Sequence, residues 1–361
     1  MDRGGLDDGG VVFRVVGGEY EVVKHFERDF KSIDAFSGEL LRATDGLLYG
    51  LTTCRAHVGS AVMITFSPAD SALQELGVMP PEMGEHPTGH LVEVAPGVFL
   101  GVCRAGGAHQ AGTIFRFTTA DGSFTKLYDM ETATGSKLDG GLALHPNGLL
   151  YGGTRSGGEN GSGVLYSFDL TTHELAVVHH FPEQGQAYHI SALTVAADQH
   201  LFGLRSFLSP SGGTLFRFDP QTQGLTVCHA FTGAQSRPVH GLTAGPVDAL
   251  YGGMSRIASA DRGEIFRFDP ITLAYSVVHQ LQLPAYGPPT CTPVFIDPEH
   301  LALHTGGNGL SPPWSEFGRY MVISPTSGEV FHSQNAPPYI SRSHPAAMVN
   351  CIISGGVTWC P

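Results

Sequence analysis

Five arginines, Arg55, Arg104, Arg155, Arg205 and Arg256, each follow the same short motif three to six residues on, at intervals of about fifty residues. A guanidinium is a planar fork of donors that matches the oxygens of a carboxylate, an enolate or a phenolate. Five around one rim would bind an anionic or polyoxygenated small molecule. The other reading is that they form ion pairs between neighbouring structural units. Histidines, 18 in all, bring the second kind of chemistry. His25, His179, His180, His229, His279 and His332 recur in step with the repeat and read as framework. His86, His90, His189, His240 and His344 instead precede the first strand of a unit, where an imidazole near the axis can move a proton or bond a carbonyl. Asp34, Asp139, Tyr188, Arg237, Tyr339 and Arg342 complete a polar funnel. Trp314 and Phe317 are either an apolar wall over it or packing for the last unit. The expected catalytic groups are His90, His189, His240, Arg155, Arg205 and Arg256. The expected substrate contacts are Arg55, Arg104, Asp139, Tyr188, Arg237, Trp314, Tyr339, Arg342 and His344.

No metal and no cofactor are expected. His86 and His90 have His-x-x-x-His spacing, but Pro87 and Gly89 oppose the helix that would aim both rings at one ion. The Gly-rich run at 157–163 leads into no helix, so it is not a phosphate cradle. No Gly-x-Ser-x-Gly elbow occurs. Cys54 and Cys103 each precede a rim arginine, a setting that favours a thiolate, yet neither has a readable base. At the far end, a Gly-Gly hairpin pairs Ser354 with Val357, Ile353 with Thr358, Ile352 with Trp359 and Cys351 with Cys360. The last pair fits a cross-strand disulfide or two reduced thiols equally well.

These side chains need a scaffold, and the chain supplies it by repetition. The motif Gly-Leu-Leu-Tyr-Gly at 148–152 has counterparts that place Tyr49, Leu100, Tyr151, Phe202, Tyr251, Leu303 and Trp359 in step. A second motif places Phe115, Tyr166, Phe216 and Phe266 in the same phase. With 48 Gly and 24 Pro the chain is rich in turns, and period-2 alternation of aromatic and β-branched residues marks short strands. Each unit reads as four strands, the blade of a β-propeller. The expected fold is an all-β, seven-bladed β-propeller in one domain, 1–361. Its blades span 346–361 with 1–30, then 31–80, 81–130, 131–181, 182–232, 233–283 and 284–345. N-terminal third and fourth strands would pair with C-terminal first and second strands to close the ring. Turns such as Asp45-Gly46 and Asn147-Gly148 are short at one end, while loops at the other end are long and varied. Binding residues concentrate on loops held by a rigid frame, which puts the working face at the long-loop end.

The Tyr-Gly-x-Thr…Gly-Gly…Gly-Thr-x-Phe pattern, clearest over 140–270, resembles that of GloVer-type repeat proteins and, more distantly, of kelch-like propellers. In architecture the chain also resembles propeller proteins recruited as lyases, cyclases or hetero-Diels–Alderases in natural-product biosynthesis. That resemblance implies a cofactor-independent lyase, isomerase or cyclase, with arginine polarising a carbonyl and histidine moving a proton. The alternative is a non-catalytic propeller that binds a glycan or a protein. A net charge of −13 argues against nucleic acid and anionic membranes, which need clustered cations. The expected partner is therefore a small molecule with a polar or anionic head, bound by a monomer. No leader peptide is read before the first strand. Low charge and the Asn160-Gly161-Ser162 acceptor suit an exported domain, and the rest suits a cytoplasmic protein, so the compartment stays open.

Overall fold

The computed structural model describes residues 11–16, 19–25, 33–36, 40–54, 61–88, 90–182, 187–207, 212–231, 236–256, 261–282, 289, 291–305, 319–335, 352–354 and 357–360. Its strands form antiparallel meanders in which the first strand of each is followed by its hydrogen-bonded neighbours in chain order. Six of these sheets are blades built from contiguous chain. Blade one spans 33–78, blade two 85–129, blade three 143–180, blade four 187–231, blade five 236–282 and blade six 294–335.

Within a blade, the register is fixed by one repeated contact. Gly101, Gly152, Gly203 and Gly252 on second strands stand directly opposite Phe115, Tyr166, Phe216 and Phe266 on third strands. Each ring folds over its glycine: a methyl group added at Gly101, Gly203 or Gly252 would come within 2.5 Å of the ring. That close approach is what the glycine of the repeated Tyr-Gly motif provides. Slipping the strand by one residue would remove it and turn the apolar set outward. The third and fourth strands also share a β-bulge at one repeated place, as between Leu165 and Tyr166, Leu215 and Phe216, and Ile265 and Phe266. His179, His229 and His279 sit at these bulges. His279 joins two blades, its Nδ1 lying 2.9 Å from the Gly328 carbonyl oxygen.

Between blades lie the hydrophobic cores. Tyr49, Met63, Phe99 and Phe115 join blades one and two. Leu100, Leu150, Tyr166 and Phe168 join two and three. Tyr151, Leu165, Leu201 and Phe216 join three and four. Phe202, Leu250, Phe266 and Phe268 join four and five. Tyr251, Leu301, Leu303 and Met321 join five and six. Successive second-strand residues therefore face opposite neighbours: Phe99 looks back to blade one and Leu100 forward to blade three. At the inner edge, hydrogen bonds repeat the linkage, with the Thr194 hydroxyl donating to the Leu242 carbonyl at 2.8 Å and the Thr243 hydroxyl to that of Pro293 at 2.6 Å.

The expected count of seven blades is corrected to six, because five described cores join six blades in a row. The terminal strands Val11–Val16, Glu19–His25, Ile352–Ser354 and Val357–Cys360 do form a further four-stranded sheet. In it Phe13 is opposite Cys360, and Ser354, Ile353 and Ile352 pair with Val357, Thr358 and Trp359. Most of its side chains lie outside the described residues, and with them any core that would make it a packed blade; its Ile352–Ser354 strand lies beside Val294–Asp297 of blade six. Cys351 also lies outside the described residues, and with it the question of a disulfide.

Two substitutions test the ring-over-glycine contact. Gly203→Ala forces a methyl against Phe216 and Leu193, at 2.5 and 2.8 Å, and should destabilise the fold by about 1–3 kcal/mol in urea unfolding. An unchanged midpoint would show that the contact does not set the register. Tyr166 is fully buried and its hydroxyl has no hydrogen-bond partner. Blades two, four and five carry Phe there, so Tyr166→Phe should raise stability by about 1 kcal/mol; a loss would mean that the hydroxyl is satisfied.

Candidate functional site

Alternation along the second strand sorts the rim arginines. Counted from the repeated aromatic or leucine, Arg104 lies four residues on, at the same parity as Leu100, and keeps the face turned to blade three. Arg155 also lies four residues on from Tyr151, but past the end of its strand, Leu150–Gly153, where the chain turns it to Asp139. Arg205 lies three on from Phe202 and Arg256 five on from Tyr251, at the opposite parity, so both turn to the preceding blade. Three of the expected site residues, Arg104, Asp139 and Arg155, then meet between blades two and three, and a fourth, His90, packs against Gly141. Asp139 enters the first strand of blade three with its side chain only 8 % exposed. One carboxylate oxygen lies 3.0 Å from Arg104 Nε and the other 3.4 Å from Arg155 Nη1. Burial raises the Asp139 carboxyl above its ordinary value, outweighing the opposing pull of Arg104, Arg155 and Lys137.

Local backbone explains why these groups converge. The side chain of His90 occupies the space that a Cβ at Gly141 would take, and a Cβ at Gly140 would strike the Ser191 carbonyl. The Asp139-Gly140-Gly141 segment is thus seated between its neighbours, with His90 two residues from the carboxylate. On the other side, the Arg155 amide donates to the Lys137 carbonyl at 3.0 Å, and Ser136 and Ser156 exchange backbone hydrogen bonds. Arg104 is held through Nε, and its side chain is 43 % exposed.

Arg205 and Arg256 serve other contacts. Arg205 is 3 % exposed, with its guanidinium carbon 4.3 Å from the Phe181 ring centre and 4.9 Å from that of Phe207. It donates through Nη2 to the Ser162 carbonyl at 2.5 Å, and burial lowers its pKa to about 10. Arg256 pairs with Glu264 at 3.1 Å. The other Glu264 oxygen accepts a very short hydrogen bond from the Tyr275 hydroxyl. Burial, then Glu264, raises the Tyr275 pKa, and the His229 ring stacks on Tyr275 at 3.9 Å. Glu264 was not among the expected residues. Its signal is a carboxylate in a slot that holds Thr113, Val164 and Thr214 in other repeats.

The remaining expectations fall as follows. Arg237 and His240 belong to the first strand of blade five, with Arg237 opposite Ser255 and His240 in a left-handed conformation at φ 58°. His189 is opposite Ser206, and Tyr188 falls at the adjoining register shift; their side chains lie outside the described residues. Arg55, Trp314, Tyr339, Arg342 and His344 lie outside them altogether. The thiolate expectation for Cys103 is corrected: the thiol is buried on the face opposite Arg104, and burial pushes it up to about 12.

With this geometry described, comparisons place the chain among known proteins. The family model for the Gloeobacter/Verrucomicrobia repeat matches residues 1–207 and 146–293. No curated protein matches the sequence. Among solved structures, the periplasmic gluconolactonase of Pseudomonas aeruginosa is 17 % identical, covers 92 % of this chain and 93 % of its own, and gives a TM-score of 0.61. A protein of Bacteroides fragilis designated a 6-phosphogluconolactonase is 13 % identical over 92 % of this chain and 97 % of its own, with a TM-score of 0.57. The chain spans 63 % of the length of TolB from Acinetobacter baumannii, at 11 % identity over 80 % of its own residues and a TM-score of 0.49. At these identities the two lactonase-like structures share the propeller fold with this chain.

A carboxyl raised on folding favours the folded state while protonated in both states and loses that benefit as pH rises through the folded value. Wild-type protein should therefore lose stability relative to Asp139→Asn as pH rises from about 3 toward neutrality, past the ordinary aspartate value near 3.9. Paired urea titrations across that range read the difference. A wild-type gain on the same path would mean that the arginines outweigh burial.

Proposed function

We propose, taking as premise that the chain belongs to the Gloeobacter/Verrucomicrobia repeat family, that it is a cofactor-independent enzyme acting on a small carbonyl compound with a polar or anionic head. The site is the cluster of Arg104, Asp139, Arg155 and His90 at the long-loop end of blades two and three. One observation carries this reading. Arg104 and Arg155 converge on the two oxygens of Asp139, with Lys137 nearby. Guanidinium forks gathered in this way suit an anionic or carbonyl oxygen, and the Arg104 side chain remains 43 % exposed.

The chemistry follows from the groups at hand. Arg104 and Arg155 hold the carbonyl or carboxylate oxygen of the substrate, while Asp139 keeps both forks oriented. His90, as neutral imidazole, takes a proton from the carbon next to the carbonyl, and the electron pair left behind moves onto the arginine-bound oxygen as an enolate. Return of the proton to a different carbon is isomerisation, loss of a leaving group is elimination, and attack on an internal electrophile is cyclisation. The lactonase-like neighbours are named for polyoxygenated carbonyl compounds, the class this donor set would accept.

A panel of sugar lactones and 2-oxo acids in deuterated water tests the proposal by NMR. Wild-type protein should exchange the proton next to the carbonyl of at least one member, and His90→Ala should slow that exchange by about a hundredfold or more. Arg104→Ala should mainly raise the substrate concentration needed. Binding without exchange or turnover would contradict the enzyme and favour a binding propeller.

A further inference from the structure

Arg205 is the least economical residue of the described structure. It is 97 % buried by virtue of its 3 % exposure, and among the described residues no carboxylate pairs with it. Its Nε is shut off from solvent without a hydrogen-bond partner. Burying a cation without a counter-charge is costly, and an unmet buried donor adds to that. Nothing in the blade requires it. The same second-strand place holds Thr52, Cys103, Thr154 and Met254 in other blades, all neutral and all buried. Nor is there room for a ligand at Nε, since the atom is inaccessible even to water.

What Arg205 does touch is a loop of the preceding blade. Its guanidinium lies over both the Phe181 and the Phe207 rings, and Nη2 donates to the Ser162 carbonyl. Ser162 ends the loop 155–162. Arg155 begins that loop, tied by its amide to Lys137 two residues before Asp139. Between them, the amides of Ser156, Gly158, Gly161 and Gly163 bond to Ser136, Thr132, Gly158 and Gly157. The loop is thus pinned at its start by its own blade and at its end by blade four.

We propose that Arg205 is a positioning residue, a clamp from blade four that holds the 155–162 loop so that Arg155 stays in register with Asp139. This rests on reading the Asp139 cluster as the ligand site, but its first test does not. Hydrogen exchange on the full chain should show the Ser156, Gly158, Gly161 and Gly163 amides of Arg205→Met exchanging about tenfold faster or more. Those of Val164–Phe168 and Leu201–Phe207 should keep wild-type rates. In the same variant, affinity for malonate, used as a simple carboxylate probe, should fall about tenfold while the response of Arg104→Ala stays additive with it. If Arg205→Met does not fold, Arg205→Lys, which keeps the charge but loses the plane and the fork, carries the same two readouts. Uniform acceleration across the blades, no acceleration, or a loosened loop with unchanged malonate affinity each overturns the clamp. If wild-type protein binds no malonate, the ligand-site reading falls, and the exchange pattern alone decides whether Arg205 holds the loop.

Discussion

The aromatic ring folded over a bare Cα, repeated in blades two to five, is the contact on which their arrangement depends. It brings second and third strands into one register, because only that register puts glycine beneath Phe115, Tyr166, Phe216 or Phe266. Once the register is set, alternation decides which neighbour every second-strand side chain meets. The large inter-blade cores follow from it, with Leu100 and Phe202 facing forward and Phe99 and Leu201 facing back.

That same alternation separates arginines that share a rim. Shifting an arginine by one residue along a strand moves it from one interface to the next. At four residues beyond the marker, Arg104 and Arg155 share the Asp139 carboxylate. At three, Arg205 lies over two aromatic rings, and at five, Arg256 meets Glu264. The first pair converges on one buried carboxylate. Arg205 is taken up by blade three, and Arg256 by an ion pair within blade five. Within the strands, one residue of offset separates Arg104 from Arg205 more sharply than sequence neighbourhood does.

Much of the framework was legible in the sequence. The phase of Tyr49, Leu100, Tyr151, Phe202 and Tyr251 announced the blades, and the Gly-Gly hairpin gave the pairing of Ile352–Ser354 with Val357–Cys360 residue by residue. Fourth-strand histidines were legible as framework for the same reason, since repetition marks structure. The blade count was not, because packed interfaces, not strands, define a blade, and the terminal strands carry no described core. The convergence was half legible: the structure brings Arg104, Asp139 and Arg155 together as the long-loop end would have it, but a tolerance of three to six residues spans both faces of a strand and leaves Arg205 and Arg256 undivided from them. Glu264 was not legible because it stands where other repeats hold threonine or valine, in a place that repetition marks as framework. The Ser162 carbonyl could not be found at all, since any residue carries one.

The central proposal is that Arg104 and Arg155, joined at Asp139, hold the ligand, while Arg205 and Arg256 serve the scaffold. NMR of protein with isotope-labelled arginine, titrated with malonate, tests it directly by following each Nε–H resonance. The account predicts that the Arg104 and Arg155 signals shift together and saturably while those of Arg205 and Arg256 stay in place. Movement of Arg205 or Arg256 with Arg104 silent would contradict it.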